Sequence, residues 1–231
     1  LQQEVSEVGS YFSIIKAIAA GNHKLSSIAS VLEVKSTNLT KYLKTLMDLD
    51  ILERRVPVTE ENPEKSKRGL YKIKDNYLRF WFAFIYPNMS FIESGHSGIV
   101  MDKIRRGLTT SHIGFVYEDI CQERMWELNV NNAWPFQFSK LGGYWDAKNE
   151  IDIAALDPEG KNLILGECKY WKEPVGLNVL HALEAKACDV AWERDRRKVW
   201  YVLFSISGFS DELRNHAATR DDLLLIDDRG R

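Results

Sequence analysis

Apolar positions in the first fifty residues recur at helical spacing. Residues 11–20 read YFSIIKAIAA and stop at Gly21-Asn22. A short second helix follows, with Ser26 as its cap and Ile28, Ala29, Val31 and Leu32 on its apolar side. Glu33-Val34-Lys35 makes a tight turn, and a third helix starts at Ser36, a favoured N-cap residue. Leu39, Tyr42, Leu43, Leu46 and Leu49 fall on one face of that helix. The pattern then changes to two short strand-like runs, 51–58 and 69–73, on either side of the hydrophilic loop 59–68 (TEENPEKSKR). Three helices and a hairpin predict a winged-helix unit whose loop is the wing.

Further along, residues 78–86 (LRFWFAFIY) are the most apolar stretch, but Arg79 interrupts it and it is too short to cross a bilayer. It reads as a buried helix or an interdomain packing segment. Residues 110–128 form a helix with Ile113, Val116 or Tyr117, Ile120 or Cys121, Met125 and Leu128 as its stripe, and Glu118 at the stripe's edge. Two short aliphatic runs then meet at the turn signal Asp157-Pro158-Glu159-Gly160. A helix at 177–194, a strand at 198–205, a helix at 211–218 and a strand at 223–226 complete the expected order.

Charge alters this picture more than composition does. The 231 residues are 45% hydrophobic and 11% aromatic, enough for one large core or two ordinary ones. The net charge of -2 excludes a polycation of the histone kind. Residues 1–90 carry 13 basic and 10 acidic side chains, net +3, whereas the remainder is net -5. Cys121, Cys168 and Cys188 are widely spaced with no CxxC pair, which argues against a zinc site or disulfide scaffold and for a reducing cytoplasm. No signal peptide or membrane segment is visible, and an opening Leu1 in place of Met leads us to expect a fragment of something longer.

The third helix presents Thr37, Asn38, Thr40, Lys41, Lys44 and Thr45 opposite its leucines, a surface suited to a major groove and its phosphates. Lys65, Lys67 and Arg68 in the wing, with Arg54 and Arg55 on its first strand, are candidate contacts to a DNA backbone. Glu60, Glu61 and Glu64 oppose that reading, and such units also serve as protein-docking or dimerisation modules.

Side chains alternate faces along a strand. In the first aliphatic run Glu150 and Asp152 share one side and Ile151 and Ile153 the other; in the second, Leu163, Leu165, Glu167 and Lys169 oppose Ile164, Gly166 and Cys168. A hairpin between them brings Asp152 towards Glu167, where two carboxylates repel unless a cation lies between them. Hard oxygen ligands suit Mg²⁺ or Mn²⁺. Lys169 beside that ion can orient or activate a water and counter charge on a phosphorane-like transition state, which points to phosphodiester hydrolysis. Glu150 is either a further ligand or a solvated strand end, and His181 lies on the helix after the motif; His23, His96, His112, His181 and His216 lack metal spacing.

Asp152 followed by Glu167-Cys168-Lys169 resembles the PD-(D/E)XK nuclease superfamily, with its restriction-endonuclease-like fold. The resemblance implies a mixed central sheet flanked by helices, and it implies Glu118, on the preceding helix, as an auxiliary acid. Ile151-Asp152 stands where the family often has Pro-Asp, a form many members share. Residues 71–88 (YKIKDNYLRFWFAFIYPN) extend the resemblance to the C-terminal region of archaeal-type ATPases of the AAA/STAND kind. That implies a winged helix at 1–75, a helical aromatic-rich connector at 76–109 and a nuclease-like domain at 110–231, with an ATPase domain as a missing partner. The chain has no GxxxxGK[ST] and so no ATP site of that type. The expectation is an α/β protein with an all-α, winged-helix N-terminal part: a cytoplasmic, Mg²⁺-dependent endonuclease or nickase on double-stranded DNA. The alternatives are a catalytically inactive DNA-binding or regulatory tail and a protein-docking module, and a homo-oligomer stays open.

Overall fold

The structure is a computed structural model that describes residues 2–227. Leu1 and residues 228–231, which the expected outer domains include, lie outside the described residues. Two compact units divide the chain: one holds the residues up to Val56 together with Asn62–His112, the other Pro57–Glu61 and everything from Ile113 on.

In the first unit, α1 (Gln2–Ala19), α2 (Leu25–Val31) and α3 (Ser36–Asp48) precede the antiparallel pair β1 (Leu52–Arg55) and β2 (Leu70–Ile73). Ile14, Ile15 and Ile18 of α1 bury against Ile28, Leu39, Leu43, Leu46, Leu52 and Ile73. The serines expected as caps lie inside their helices. Lys24 and Lys35 hold the cap positions with no side-chain bond, and Glu33, at a φ of 54°, turns the chain from α2 into α3. Leu49 is not a core residue: it is 63% exposed at the end of α3, where the chain leaves the helix for β1. The first strand is shorter than expected, stopping at Arg55.

The unit continues through α4 (Asn76–Phe80), which Asp75 caps by accepting from the Leu78 amide at 2.7 Å. A π-helical turn at Trp81–Ile85 leads to α5 (Met89–Glu93) and α6 (Ser97–Leu108). Trp81, Phe82 and Tyr86 pack on Phe12 of α1, while Phe84 joins Val100 and Ile104 of α6. The aromatic run is therefore internal packing of this unit.

The second unit is a mixed α/β layer structure. α7 (Gly114–Val130) leads into β3 (Lys140–Trp145), β4 (Glu150–Leu156) and β5 (Asn162–Lys169). α8 (Leu177–Asp189), β6 (Lys198–Ser205), α9 (Asp211–Ala217) and β7 (Leu223–Asp227) follow. The five strands lie in the order β3-β4-β5-β6-β7, antiparallel up to β5 and parallel beyond it. β3 was not anticipated, because its two glycines hide its strand character. α7 starts later than expected, residues 109–113 forming a π-helical turn, and α8 stops at Asp189 instead of continuing to 194. No described helix is long and apolar enough to cross a membrane.

β5 is central, and residues 163–166 read as an unbroken apolar run because both faces are covered. Leu163 and Leu165 pack with Val179, Leu180 and Leu183 of α8. Ile164 and Cys168 pack with Tyr117, Cys121 and Met125 of α7, which settles the α7 stripe on Tyr117 and Cys121. Each fully buried aliphatic side chain contributes about 1.5–3 kcal/mol by leaving water. Gly166 is obligatory in this layer: a Cβ there would lie 2.5 Å from Val202 Cγ1 and 2.8 Å from the Val202 carbonyl oxygen.

One expectation about β4 fails. Ile151 and Ile153 do not share a face; Ile151 buries with the α8-side cluster and Ile153 with the α7-side cluster. The cause is a β-bulge. Gly142 pairs with Ala154 but Tyr144 with Ile151, so β4 carries one residue more than β3 across this step.

Candidate active site

The bulge positions Asp152. Backbone pairing of β4 with β5 runs from Leu156–Leu163 to Ile153–Gly166 and stops. The next donor of β5, the Cys168 amide, would be left without a ladder partner. It donates instead to Oδ2 of Asp152 at 2.8 Å, so the carboxylate replaces a backbone acceptor. On β5, the alternation that turns Leu163 and Leu165 towards α8 also turns Glu167 and Lys169 to that side.

Four charged side chains meet there. Lys169 Nζ lies 3.5 Å from Asp152 Oδ2 and is hydrogen-bonded to Glu167 Oε2. Lys186 of α8 donates to Glu167 Oε1 at 2.6 Å and to the Glu150 carbonyl at 2.7 Å. The Glu167 side chain is 6% exposed and that of Asp152 16%. Sequence reasoning missed Lys186, although its position three residues after buried Leu183 and seven after Val179 was a usable signal.

The two carboxylates have different environments. Burial pushes the Asp152 carboxyl up, the neighbouring Glu167 charge adds to this, and Lys169 and the Cys168 amide only partly oppose it, leaving Asp152 at about 6. Burial also pushes Glu167 up, but there the attraction of Lys169 and Lys186 outweighs it, and Glu167 lies below the ordinary carboxylate range. Lys169 is raised: burial works against its charge, but Asp152 and Glu167 prevail. Burial, with the Cys121 thiol against it, pushes Cys168 well up, so that thiol is no ready nucleophile.

The other candidates fall around this cluster or outside it. Glu118 is half-buried on α7, and its charge reaches the Cys168 thiol from the opposite side of β5. Glu150 is exposed and contributes its backbone carbonyl, while His181 is exposed on α8. Trp171 is exposed just past β5, with Lys169 Nζ 5.7 Å from its ring centroid. Among the described residues, no group of three or more His, Cys, Asp and Glu side chains is placed to hold a metal ion.

In the first unit, Thr37, Asn38, Thr40, Lys41 and Lys44 are all exposed on α3. Lys44 pairs with Asp48 at 2.9 Å and Lys41 lies over the Tyr42 ring. Lys65, Lys67 and Arg68 are exposed in the loop between β1 and β2. Arg54 serves that loop itself, donating to the Pro63 and Ser66 carbonyls at 2.8 and 2.6 Å, and Arg55 pairs with Glu53.

A family model, DUF234, described as archaeal and bacterial proteins of unknown function, matches residues 81–187. That stretch contains Glu118, Asp152, Glu167, Lys169 and Lys186. The uncharacterized protein MJECL04 of Methanocaldococcus jannaschii is 40% identical over 173 residues, 75% of this chain. The match spans 38% of that relative's length. Among solved structures, a repair endonuclease from Pyrococcus abyssi aligns with a TM-score of 0.30 at 12% identity, over 45% of this chain and 44% of its own. A likeness so slight leaves the chemistry to be argued from the side chains.

Proposed function

We propose that the chain is a divalent-metal-dependent DNA endonuclease or nickase, made of a winged-helix unit and a PD-(D/E)XK-type catalytic unit. The observation that carries this reading is the convergence of Asp152 and Glu167 at adjoining strand ends with Lys169 bonded to both. Burial and the neighbouring Glu167 charge raise Asp152, and a cation held between the two acids would oppose both effects. Two hard carboxylates with water and a substrate phosphate fit Mg²⁺ or Mn²⁺, so Asp152 and Glu167 would hold the ion. Bound there, it would supply Lewis-acid polarisation of the phosphodiester and a more acidic water.

The chain's own groups do the rest. The Lys169 ammonium, fixed by both acids, orients the attacking water and counters the charge that builds on the phosphorus oxygens. Glu118, expected as an auxiliary acid, lies on the α7 side of β5, across the strand from Glu167 and Lys169, and takes no step in this reading. Thr37, Asn38, Thr40, Lys41 and Lys44, with Lys65, Lys67, Arg68, Arg54 and Arg55, contribute groove and phosphate contacts to double-stranded DNA. An ATPase domain is the proposed further partner, from the resemblance of residues 71–88, and a reducing cytoplasm the proposed compartment, from the three free thiols.

A second reading, a DNA-binding tail without catalysis, is favoured by one observation: Glu167 already carries an ammonium on each oxygen. Supercoiled-plasmid nicking separates the two. The parent protein nicks with Mg²⁺ or Mn²⁺, and Asp152→Asn abolishes nicking while its duplex affinity keeps the steep salt dependence of counterion release. No nicking by the parent under any divalent ion removes the catalytic reading. An absence of salt-dependent duplex binding removes both.

A further inference from the structure

We infer that Lys186 is a tethered counter-ion: its ammonium covers Oε1 of Glu167, the acid that faces Asp152, where the divalent ion would bind, and leaves when a nucleic-acid phosphate draws it off. This rests on the reading of those acids as an ion site. The sheet supplies one lysine with its ligands; the helix above supplies another.

Lys169 and Lys186 are not equivalent. Lys169 follows Glu167 by two residues on β5, touches both acids and is 18% exposed. Lys186 comes from α8 on a flexible stem, is 30% exposed, and has the neutral Glu150 carbonyl as its second partner. A doubly charged ion between Asp152 and Glu167 would bring its charge against both ammonium groups, at a cost that rises as separation falls. The side chain with the weaker second partner and the open path to solvent gives way, and that is Lys186. Its departure uncovers Glu167 Oε1 and frees a strongly hydrated point charge suited to a phosphate oxygen.

Metal and DNA binding are therefore coupled, and by linkage each strengthens the other. Without DNA the site is held neutral and shut by its own helix. Lys186 is thus a positioning residue that restrains ion loading until substrate is present.

The test is Mn²⁺ binding to the full chain, read from the free-ion electron paramagnetic resonance signal, so that no turnover is needed. Without DNA, Lys186→Met binds Mn²⁺ about tenfold more tightly than the parent, within the usual range of such couplings. Lys186→Arg, which keeps the charge, stays near the parent. A phosphorothioate-linked duplex, which resists hydrolysis, tightens Mn²⁺ binding to the parent more than to Lys186→Met. Circular dichroism establishes that each variant is folded, and should Lys186→Met fail to fold, the duplex effect on the parent decides the matter alone. Equal or weaker Mn²⁺ binding by a folded Lys186→Met overturns the inference, as does a duplex that leaves the parent's affinity unchanged. Nicking by the parent with no difference in Mn²⁺ affinity sinks the counter-ion and leaves the nuclease standing. A clear difference in affinity with no nicking does the reverse, and absence of Mn²⁺ binding removes both.

Discussion

Replacing Asp152 by Asn stabilises the folded chain at neutral pH while removing its proposed activity. The substitution keeps an oxygen to accept from the Cys168 amide, deletes the charge and puts an NH2 donor in place of the other oxygen. A carboxyl held at about 6 instead of the ordinary 3.8 carries net disfavour for its charged form, roughly 2–3 kcal/mol at pH 7.5. The sign follows from linkage. A folded-state value raised above the unfolded one gives stability that is fully present below about pH 4 and is lost as pH rises through about 6. The parent loses this contribution on going to pH 7.5; the amide never had it to lose. Urea unfolding with a chelator present, at pH 7.5 and again near pH 4, measures the difference. The expected result is a variant about 2–3 kcal/mol more stable at pH 7.5, with the gain largely gone near pH 4. A less stable variant at pH 7.5, or a gain that ignores pH, would refute the electrostatics drawn for the pair.

Glu167→Gln has the opposite sign, because its charge is net stabilised; it leaves two ammonium groups poorly paired and lowers stability at neutral pH by about 3 kcal/mol in the same unfolding assay. Gly166→Ala forces a Cβ to 2.5 Å from Val202 Cγ1 and 3.2 Å from Ile153 Cβ, so thermal unfolding shows a loss of at least about 1–3 kcal/mol; an unchanged midpoint contradicts the packing of the central strand. Gly69→Ala puts a Cβ 2.5 Å from Arg54 Nε and displaces the guanidinium from the Pro63 and Ser66 carbonyls. Limited proteolysis within 59–68 then speeds up, and equal cleavage rates show that Arg54 does not hold the loop.

What could be read from the amino acids alone follows the range over which each feature is determined. The β4–β5 hairpin was legible because alternation and the turn at Asp157 are local; Asp157 accepts from the Lys161 amide and the Asn162 side chain, as such a turn residue does. The packing of Leu163 and Leu165 against one helix layer and Ile164 against the other followed from the same period of two. The bulge was not legible, since it arises between β4 and β3, and Gly142 and Gly143 concealed β3. With it went the true setting of Asp152, whose carboxylate stands in for a backbone acceptor. Lys186 was hidden for another reason. It lies 17 residues beyond Lys169 on a helix, and only the fold brings its ammonium back over Glu167.

The central claim is that Asp152 and Glu167 jointly hold a divalent ion. Anomalous scattering from a Mn²⁺-soaked crystal tests it most directly. The account predicts a peak between the two carboxylates, within bonding reach of both, with the Lys186 ammonium displaced from Glu167 Oε1. A map with no peak there, both lysines still seated on the glutamate, would contradict it.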